Sequence, residues 1–306
     1  MRDSLRFGSI NGITIGVHWT IAIVAALFTL ALSGGVLPAF APGYTSGAYM
    51  VMALVTAVLF FASIVAHELG HSLVAQRNGI GVSGITLFAL GGVAKLESDP
   101  KDAGSAARIA LAGPAVSVAI GVGGLVAGVL AGALGLPTLV AAGLAWLGII
   151  NLGMAVFNMI PALPLDGGRT LQAYLWHRSG DRDVATISAA KLGRFLGWAM
   201  IAFGLWQFLN GGAGLWFALI GWFVTAGARA EAMRARFEIQ RRTWAPPAWP
   251  PFGFRAGDGR QAATGGWPGG PVGFPPYQQA PPPTPADRYD VVDVTGRPVE
   301  RTESRT

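Results

Sequence analysis

The sequence predicts an α-helical polytopic membrane protein with six transmembrane helices. Hydrophobic residues make up 52% of the 306 residues and charged residues only 12%, whereas about a quarter of the residues are charged in an ordinary soluble domain. Three long segments, residues 7–66, 109–165 and 195–228, contain no Asp, Glu, Lys or Arg. Since about 20 residues cross the hydrocarbon core, each segment is too long for one helix and predicts two.

The distribution of charge predicts the topology. Each uncharged segment contains a Gly-rich or Pro-containing turn signal near its middle, at residues 34–46, 132–137 and 210–214. Every Lys and Arg of the first 243 residues lies on the side of the predicted helices opposite these uncharged turns. The positive-inside rule therefore places both termini in the cytoplasm, and we expect a multi-pass protein of the plasma (inner) membrane.

The net charge of +6 belongs to this membrane region, because it holds 16 basic and 10 acidic residues while the rest of the chain holds six of each. We attribute that charge to topology and to contact with anionic lipid, and it gives no argument for nucleic acid.

Four parts follow from composition. Residues 1–16 are a predicted cytoplasmic or interfacial β segment, and residues 17–227 are the six-span domain, with a strand or re-entrant loop at about 80–98. Residues 228–243 read as a basic amphipathic helix on the cytoplasmic leaflet. Residues 244–306 hold 13 of the 20 prolines and are expected to be disordered or polyproline II, either solvated or bound to a partner domain.

The pattern His67-Glu68-Leu-Gly-His71 lies in the second predicted helix. Residues four apart share one face of a helix, so both imidazoles can reach a single tetrahedral Zn²⁺. Glu68, about 100° further around, is placed as the general base for a water that the metal activates. The alternative is a chance match, or two histidines satisfied by hydrogen bonds in a bundle. Ionisable residues at bilayer depth are costly, which favours the functional interpretation.

A third ligand is expected, because a catalytic zinc takes three side chains and leaves one position for water. The chain contains no Cys, so the ligands must be His and carboxylate. Asp166 is the candidate: it follows Pro161 and Pro164, which end the fourth predicted helix, and its predicted depth is similar to that of His67. The alternative is that Asp166 only caps the helix that follows.

HELGH in the second predicted helix and NMIPALPLDGGR at the end of the fourth resemble the site-2 protease family of intramembrane zinc metalloproteases. The marks of that family are HExxH and a later Asn-x-x-Pro-x-x-Pro-x-Asp-Gly. The resemblance implies that His67, His71 and Asp166 bind one zinc per chain and that Glu68 is the catalytic base. It also implies that Asn158 holds substrate or the developing oxyanion; an interhelical hydrogen bond is the alternative.

Two further segments are similar to the family. The stretch 81–97, with Gly91 and Gly92, is expected to be an edge strand that pairs with an unwound substrate, or else an interfacial loop. The stretch 4–20 resembles a subgroup in which short strands lead to a His-Trp pair, here His18 and Trp19, and we expect His18 to be interfacial. Leu-Ala-Gly-Pro at 111–114 is read as a packing motif. No PDZ or CBS domain is recognisable.

These patterns predict a zinc metalloendopeptidase that cleaves transmembrane segments of membrane-anchored proteins, in regulated intramembrane proteolysis. The predicted partners are those substrates and the lipid bilayer. A zinc transporter, or a metal-dependent membrane scaffold without peptidase activity, is the alternative. A transporter is expected to carry ligands on several helices along a path, often with inverted repeats, whereas this chain has one compact group.

Overall fold

A computed structural model describes residues 5–88 and 91–243 of the chain, with side chains from residue 8 onward. The predicted Pro-rich tail, 244–306, lies outside the described residues. The helices are α1 (Thr20–Ala31), α2 (Leu37–Phe40), α3 (Ser46–Arg77), α4 (Ala103–Ala133), α5 (Thr138–Asn158), α6 (Asp166–Ser179), α7 (Arg182–Leu209) and α8 (Leu215–Thr243). The strands are β1 (Leu5–Ile10), β2 (Ile13–Val17), β3 (Val82–Phe88) and β4 (Gly91–Leu96).

Within the described residues, five helical segments are long and apolar enough to cross a membrane. They are Thr20–Phe40, Ser46–Arg77, Ala103–Ala133, Thr138–Asn158 and Arg182–Leu209. The sixth predicted span is the first half of α8, which does not belong to these five. That helix continues without a break into its basic second half, so the predicted boundary at residue 228 falls inside one helix.

Two of the three predicted turns lie between helices, after Ala133 and after Leu209. The first predicted turn is different, because a π-helical segment at Leu32–Val36 joins α1 to α2 and the chain stays helical to Phe40. Gly34 and Gly35 lie inside the π-helical segment, so they do not end the helix. Pro38 lies in the first turn of α2, where its missing N–H is tolerated. Only residues 41–45 are left to connect the first two spans.

The four strands form one sheet in the order β1-β2-β3-β4. The pairs β1–β2 and β3–β4 are antiparallel, and β2–β3 is parallel. The stretch at about 80–98, which was predicted to be a strand or re-entrant loop, therefore forms a β-hairpin. Ile13, Ile80 and Ile85 of this region form a buried cluster with Ala75 of α3. This packing fixes the sheet against the C-terminal half of α3 and leaves β4 at its edge.

Glycine contacts bring the helices close together. Gly121, Gly124 and Gly128 of α4 lie against the backbone of α5, and an added Cβ at any of them would come within 3.1 Å of it. Helices α7 and α8 form an antiparallel pair through Gly197 and Gly204 in the same way. Helix α4 also packs against α3 and α6, and α6 packs against α7. As a result, α4 is the neighbour of both the HELGH helix and the helix that begins at Asp166.

Candidate metal centre

His67 and His71 lie one turn apart on the same face of α3, as their spacing predicts. Their Nε2 atoms are 3.2 Å apart, and the His67 side chain is buried. Thr45 is the N-cap residue of α3, and its hydroxyl accepts the Ala48 N–H. Asn78 is the C-cap residue, followed by Gly79, whose φ of +76° favours glycine. The two imidazoles therefore stand on a helix with defined ends, about two turns inside its C-terminus.

Asp166 completes the group from another helix. Its Oδ2 lies 3.2 Å from His67 Nε2 and 3.3 Å from His71 Nε2. The N-cap residue of α6 is Leu165, and no side chain caps this helix. The alternative in which Asp166 serves only as a cap is therefore contradicted. His67, His71 and Asp166 can each offer one ligand atom to a metal ion.

Helix α4 orients both imidazoles from behind. The Nδ1–H of His71 donates to the carbonyl oxygen of Ile109 at 2.6 Å. The Nδ1 of His67 lies 2.8 Å from the hydroxyl of Ser117, which is fully buried. With the hydrogens on Nδ1, both Nε2 lone pairs point towards the carboxylate of Asp166. The two Nε2 atoms and the Asp166 carboxylate oxygen then face one another with no hydrogen atom between them. A cation bound by all three would offset the repulsion between their lone pairs.

Gly113 of α4 lies against both ligand nitrogen atoms. It lies midway between Ile109 and Ser117 on the same face of the helix. An added Cβ at Gly113 would lie 2.6 Å from His67 Nε2 and closer still to His71 Nε2. Any side chain at residue 113 would collide with both ligand atoms, so the close approach of α4 to the imidazoles requires glycine here.

The loop before Asp166 is held by glycines on three helices. Gly167 and Gly168 of α6 press on the backbone of residues 159–163, where an added Cβ would overlap it. Gly193 of α7 contacts the backbone of Leu163, and Gly227 of α8 contacts the ring of Pro164, with added-Cβ distances of 3.0 and 2.7 Å. Leu163 is also fully buried, so this part of the loop is held between α6, α7 and α8.

Glu68 lies next to the group, between α3 and the sheet. Gly92 of β4 faces it so closely that an added Cβ would lie 3.0 Å from the carboxyl carbon of Glu68 and nearer to its Cγ. Gly91 has a φ of +131° and open space around its Cα. The edge strand β4 and the Glu68 carboxylate are thus adjacent.

The chain is similar to proteins of one peptidase family. The family model of Peptidase family M50 matches residues 55–140 and 136–201. Rip3 of Mycobacterium tuberculosis, a protein named as a zinc metalloprotease, is 43% identical over 237 residues, which are 76% of this chain and 60% of that protein. The protein sll0528 of Synechocystis, also named as a zinc metalloprotease, is 40% identical over 242 residues, 78% of this chain and 62% of its own length. The chain belongs to peptidase family M50.

The resemblance drawn from HELGH and NMIPALPLDGGR is therefore confirmed at the level of the family. The chain spans about three fifths of the length of these M50 relatives. Among solved structures, the site-2 protease from Methanocaldococcus jannaschii is 32% identical, with a TM-score of 0.49 over 74% of this chain and 94% of that one. The apolar helices and the family together make this chain an integral membrane protein.

Two other predicted residues of this M50 chain, Asn158 and His18, are not among the three ligand candidates of the described residues. Asn158 is the half-buried last residue of α5, and no hydrogen bond between described residues involves its side chain. His18 lies between β2 and α1. Its backbone N–H donates to the carbonyl oxygen of Leu87, and its ring Nδ1 is 3.0 Å from Thr20 Oγ1. His18 is not in the metal-binding group of the described residues, and its interfacial role stays a prediction.

Three residues that matter to the site were not found from the sequence. Ile109, Gly113 and Ser117 recur every four residues along α4, and this spacing is the one signal that the sequence held. Gly113 and Ser117 are small residues four apart, and that pattern is also typical of ordinary helix packing in membranes. The Leu-Ala-Gly-Pro stretch was read in that way, and its glycine proves to face the ligand atoms.

Proposed function

We propose that this M50 chain is a zinc-dependent metalloendopeptidase that cleaves transmembrane segments of membrane-anchored proteins, in regulated intramembrane proteolysis. The triangle of His67 Nε2, His71 Nε2 and Asp166 Oδ2, with sides of 3.2, 3.2 and 3.3 Å, carries the proposal. Zinc bonds of about 2.0–2.1 Å in tetrahedral geometry separate the ligand atoms by about 3.3–3.4 Å. The donor set and its size therefore fit one zinc per chain.

Each residue has a distinct task in this proposal. The bound zinc supplies Lewis-acid polarisation of the substrate carbonyl and a water that is readily deprotonated near neutral pH. His67, His71 and Asp166 hold the ion, and the Ile109 carbonyl and Ser117 keep the imidazoles in the required tautomer. Glu68 takes a proton from the attacking water and delivers it to the leaving amine.

The substrate is held by backbone and amide groups. A helix hides its carbonyls in internal hydrogen bonds, so a transmembrane substrate must unwind before hydrolysis. An extended substrate can add to the edge strand β4 at Gly91 and Gly92, next to Glu68. Asn158 is assigned to the developing oxyanion, to which its amide can donate. The position of edge strand β4, with Gly92 next to the Glu68 carboxylate, supports the proposed binding of substrate at this strand.

The membrane placement follows from charge and length. We assign the first half of α8 as a sixth span, because residues 195–228 carry no charge and α7 and α8 are antiparallel. Both termini then face the cytoplasm of the plasma (inner) membrane. His67 lies ten residues before Arg77, which puts the zinc about 15 Å along the helix from the charged boundary. Water and substrate must both reach that depth.

Purified full-length protein tests the proposal through Glu68→Gln. Zinc content is measured by elemental mass spectrometry, and cleavage is followed on a panel of tagged single-span membrane proteins in the same detergent. We expect one zinc per chain in wild type and in Glu68→Gln, with cleavage reduced by at least 100-fold in the variant. Glu97→Gln, at an exposed acid after β4, is the matched control and should cleave normally. Equal cleavage by Glu68→Gln and wild type would remove the assigned base.

Asp166→Asn separates the ligand role from the base role. We expect it to lower zinc occupancy, because one of three ligands loses its charge. Full zinc occupancy in Asp166→Asn would contradict its role as a ligand. If no protein on the panel is cleaved and zinc instead crosses proteoliposomes equally with wild type and Glu68→Gln, the transporter is the correct function. Comparing the N-termini of membrane proteins in cells that make active enzyme or Glu68→Gln would then identify the substrates.

A further inference from the structure

We propose that α7 and α8 form a binding site for the phosphate headgroup of an anionic phospholipid of the cytoplasmic leaflet. The site is a groove of about 220 Å³ lined by Arg194 of α7 and by Arg229, Ala232, Met233 and Arg236 of α8. It is separate from the metal centre, and it depends on the membrane placement proposed above but not on peptidase activity.

Arg194 and Arg229 lie where the apolar band ends, and Arg236 lies about two turns further along α8. Arg194 is the last charged residue before the uncharged segment 195–228, and Arg229 is the first after it. They are 15 residues before the end of α7 and 14 residues after the start of α8, about 22 and 21 Å from the turn between the helices. The contact of Gly193 with Ala228, one residue before each arginine, holds them at the same level.

These arginines differ from their neighbours in lacking an acidic partner. Arg169 pairs with Glu231 at 3.6 Å, Arg182 with Asp99 at 2.6 Å, and Arg242 with Asp183 at 3.2 Å. The ion pairs of residues 8–88 and 91–243 involve Arg169, Arg182, Arg241 and Arg242. In the same residues no carboxylate lies within 4 Å of the guanidinium groups of Arg194, Arg229 or Arg236, which are exposed. Both acidic residues of α8 pair with arginines outside the groove: Glu231 with Arg169, and Glu238 with Arg241 and Arg242. The positive charge of the groove is therefore not compensated by an ion pair.

The apolar surroundings favour a lipid over a free anion. Phe195 and Trp198 follow Arg194 on α7, and Met233 lies in the groove on α8; all three side chains are at least half exposed. Such side chains at the end of an apolar band are suited to acyl chains and glycerol, while arginine is suited to phosphate. A phospholipid satisfies both sets of groups at once, whereas inorganic phosphate satisfies only the arginines.

Native mass spectrometry of the purified full chain tests the site. The protein in detergent is titrated with phosphatidylglycerol or with phosphatidylcholine of the same acyl chains. The groove variant is Arg194→Gln/Arg229→Gln/Arg236→Gln. The matched control, Arg77→Gln/Arg178→Gln/Arg234→Gln, removes the same charge from exposed cytoplasmic arginines outside the groove. Arg234 is a close control, since it lies on α8 about 140° around the helix from Arg229.

We expect wild type and the control to bind phosphatidylglycerol more tightly than phosphatidylcholine. An interfacial arginine near anionic lipid contributes about a fivefold factor, so the groove variant should bind phosphatidylglycerol roughly 100-fold more weakly and Arg194→Gln about fivefold more weakly. Thermal unfolding and zinc content of each variant, which should match wild type, show that the fold is intact. Arg194→Lys serves as a second variant, because it keeps the charge and should retain most of the binding.

Three outcomes would overturn the proposal. An equal loss in the groove variant and the control would mean that overall charge, and not this groove, attracts the lipid. Equal binding of phosphatidylglycerol by the groove variant and wild type would exclude the site. Displacement of phosphatidylglycerol by millimolar inorganic phosphate would identify a site for free anions instead of lipid.

Discussion

Gly113→Ala is the sharpest test of the metal centre, because it adds one methyl group on the helix behind the histidines. In the structure that methyl group would lie 2.6 Å from His67 Nε2 and closer to His71 Nε2. Carbon and nitrogen atoms that are not bonded normally stay about 3.5 Å apart. The methyl group would therefore collide with both ligand nitrogen atoms and displace the imidazoles.

The size of the effect follows from these distances. Both imidazoles must withdraw by roughly 1 Å, whereas metal–ligand distances tolerate about 0.2 Å. Loss of one hydrogen-bond partner behind a ligand already weakens metal affinity by about 10–100-fold. Because Gly113→Ala disturbs two of three ligands directly, we expect zinc affinity to fall by more than about 100-fold, or about 2.7 kcal/mol. Proteolysis should fall in proportion to zinc occupancy.

The assay is zinc retention against a chelator of known affinity, read by elemental mass spectrometry on purified protein. Gly123→Ala is the matched control, since Gly123 lies on the same helix with open space around its Cα. Alanine is favoured over glycine in a helix by about 0.5–1 kcal/mol, so Gly123→Ala should keep its zinc and unfold no earlier than wild type. Thermal unfolding in excess chelator is measured as well, because an alanine before Pro114 also crowds the proline ring.

Wild-type zinc affinity in Gly113→Ala would refute the reasoning. It would mean that the ion is not held between the two Nε2 atoms, or that α4 does not lie against them. A variant that loses zinc but also loses its unfolding transition in chelator would show instead that Gly113 is needed for folding. The predicted result is loss of zinc with the chelator-treated unfolding transition preserved.

Three further predictions follow from contacts around the site. Ser117→Ala should weaken zinc binding by about 10–100-fold with little change in unfolding, measured by the same chelator competition. Gly92→Ala should displace the Glu68 carboxylate, lowering kcat by at least about tenfold at unchanged zinc content. The guanidinium of Arg182 lowers the pKa of the Asp99 carboxyl. The pair therefore stabilises the fold above the unfolded pKa of about 3.9, and stability is lost as pH falls through the lower folded value. Because Asp99 is largely exposed, Asp99→Asn should change unfolding at pH 7 by less than about 1 kcal/mol and remove this pH dependence.

The histidine pair was predictable because it depends on one helix alone. An i, i+4 spacing defines a shared face without any knowledge of the neighbours, and an uncharged segment of that length defines a membrane helix. Five of the six predicted spans needed only this reasoning. The hairpin at β3 and β4 was predicted as a strand or loop, because a short β-rich stretch with glycines does not indicate its partner strand. Pairing with β2, which comes from the N-terminus, depends on distant residues.

Contributions from a second helix were not predictable in the same way. Ser117 and the Ile109 carbonyl act only because α4 lies against α3, and neither residue type indicates a metal site by itself. Glycine at residue 113 has the same appearance as the packing glycines further along α4, such as Gly124. What distinguishes them is the neighbour that each one faces. The π-helical segment after α1 was missed for a related reason, because two glycines and a proline predict a turn as readily as a change of helical register.

Asp166 shows how far such dependence extends. Its loop is held by Gly193 of α7 and Gly227 of α8, on two helices that carry none of the predicted ligands. Gly193 directly precedes Arg194, and Gly227 lies two residues before Arg229, so the proposed lipid groove and the clamp on this loop share the same helical turns. A carboxylate oxygen must keep its distance to a zinc within about 0.2 Å. The position of this ligand therefore depends on the packing of Pro164 against Gly227, on a helix that does not carry the ligand.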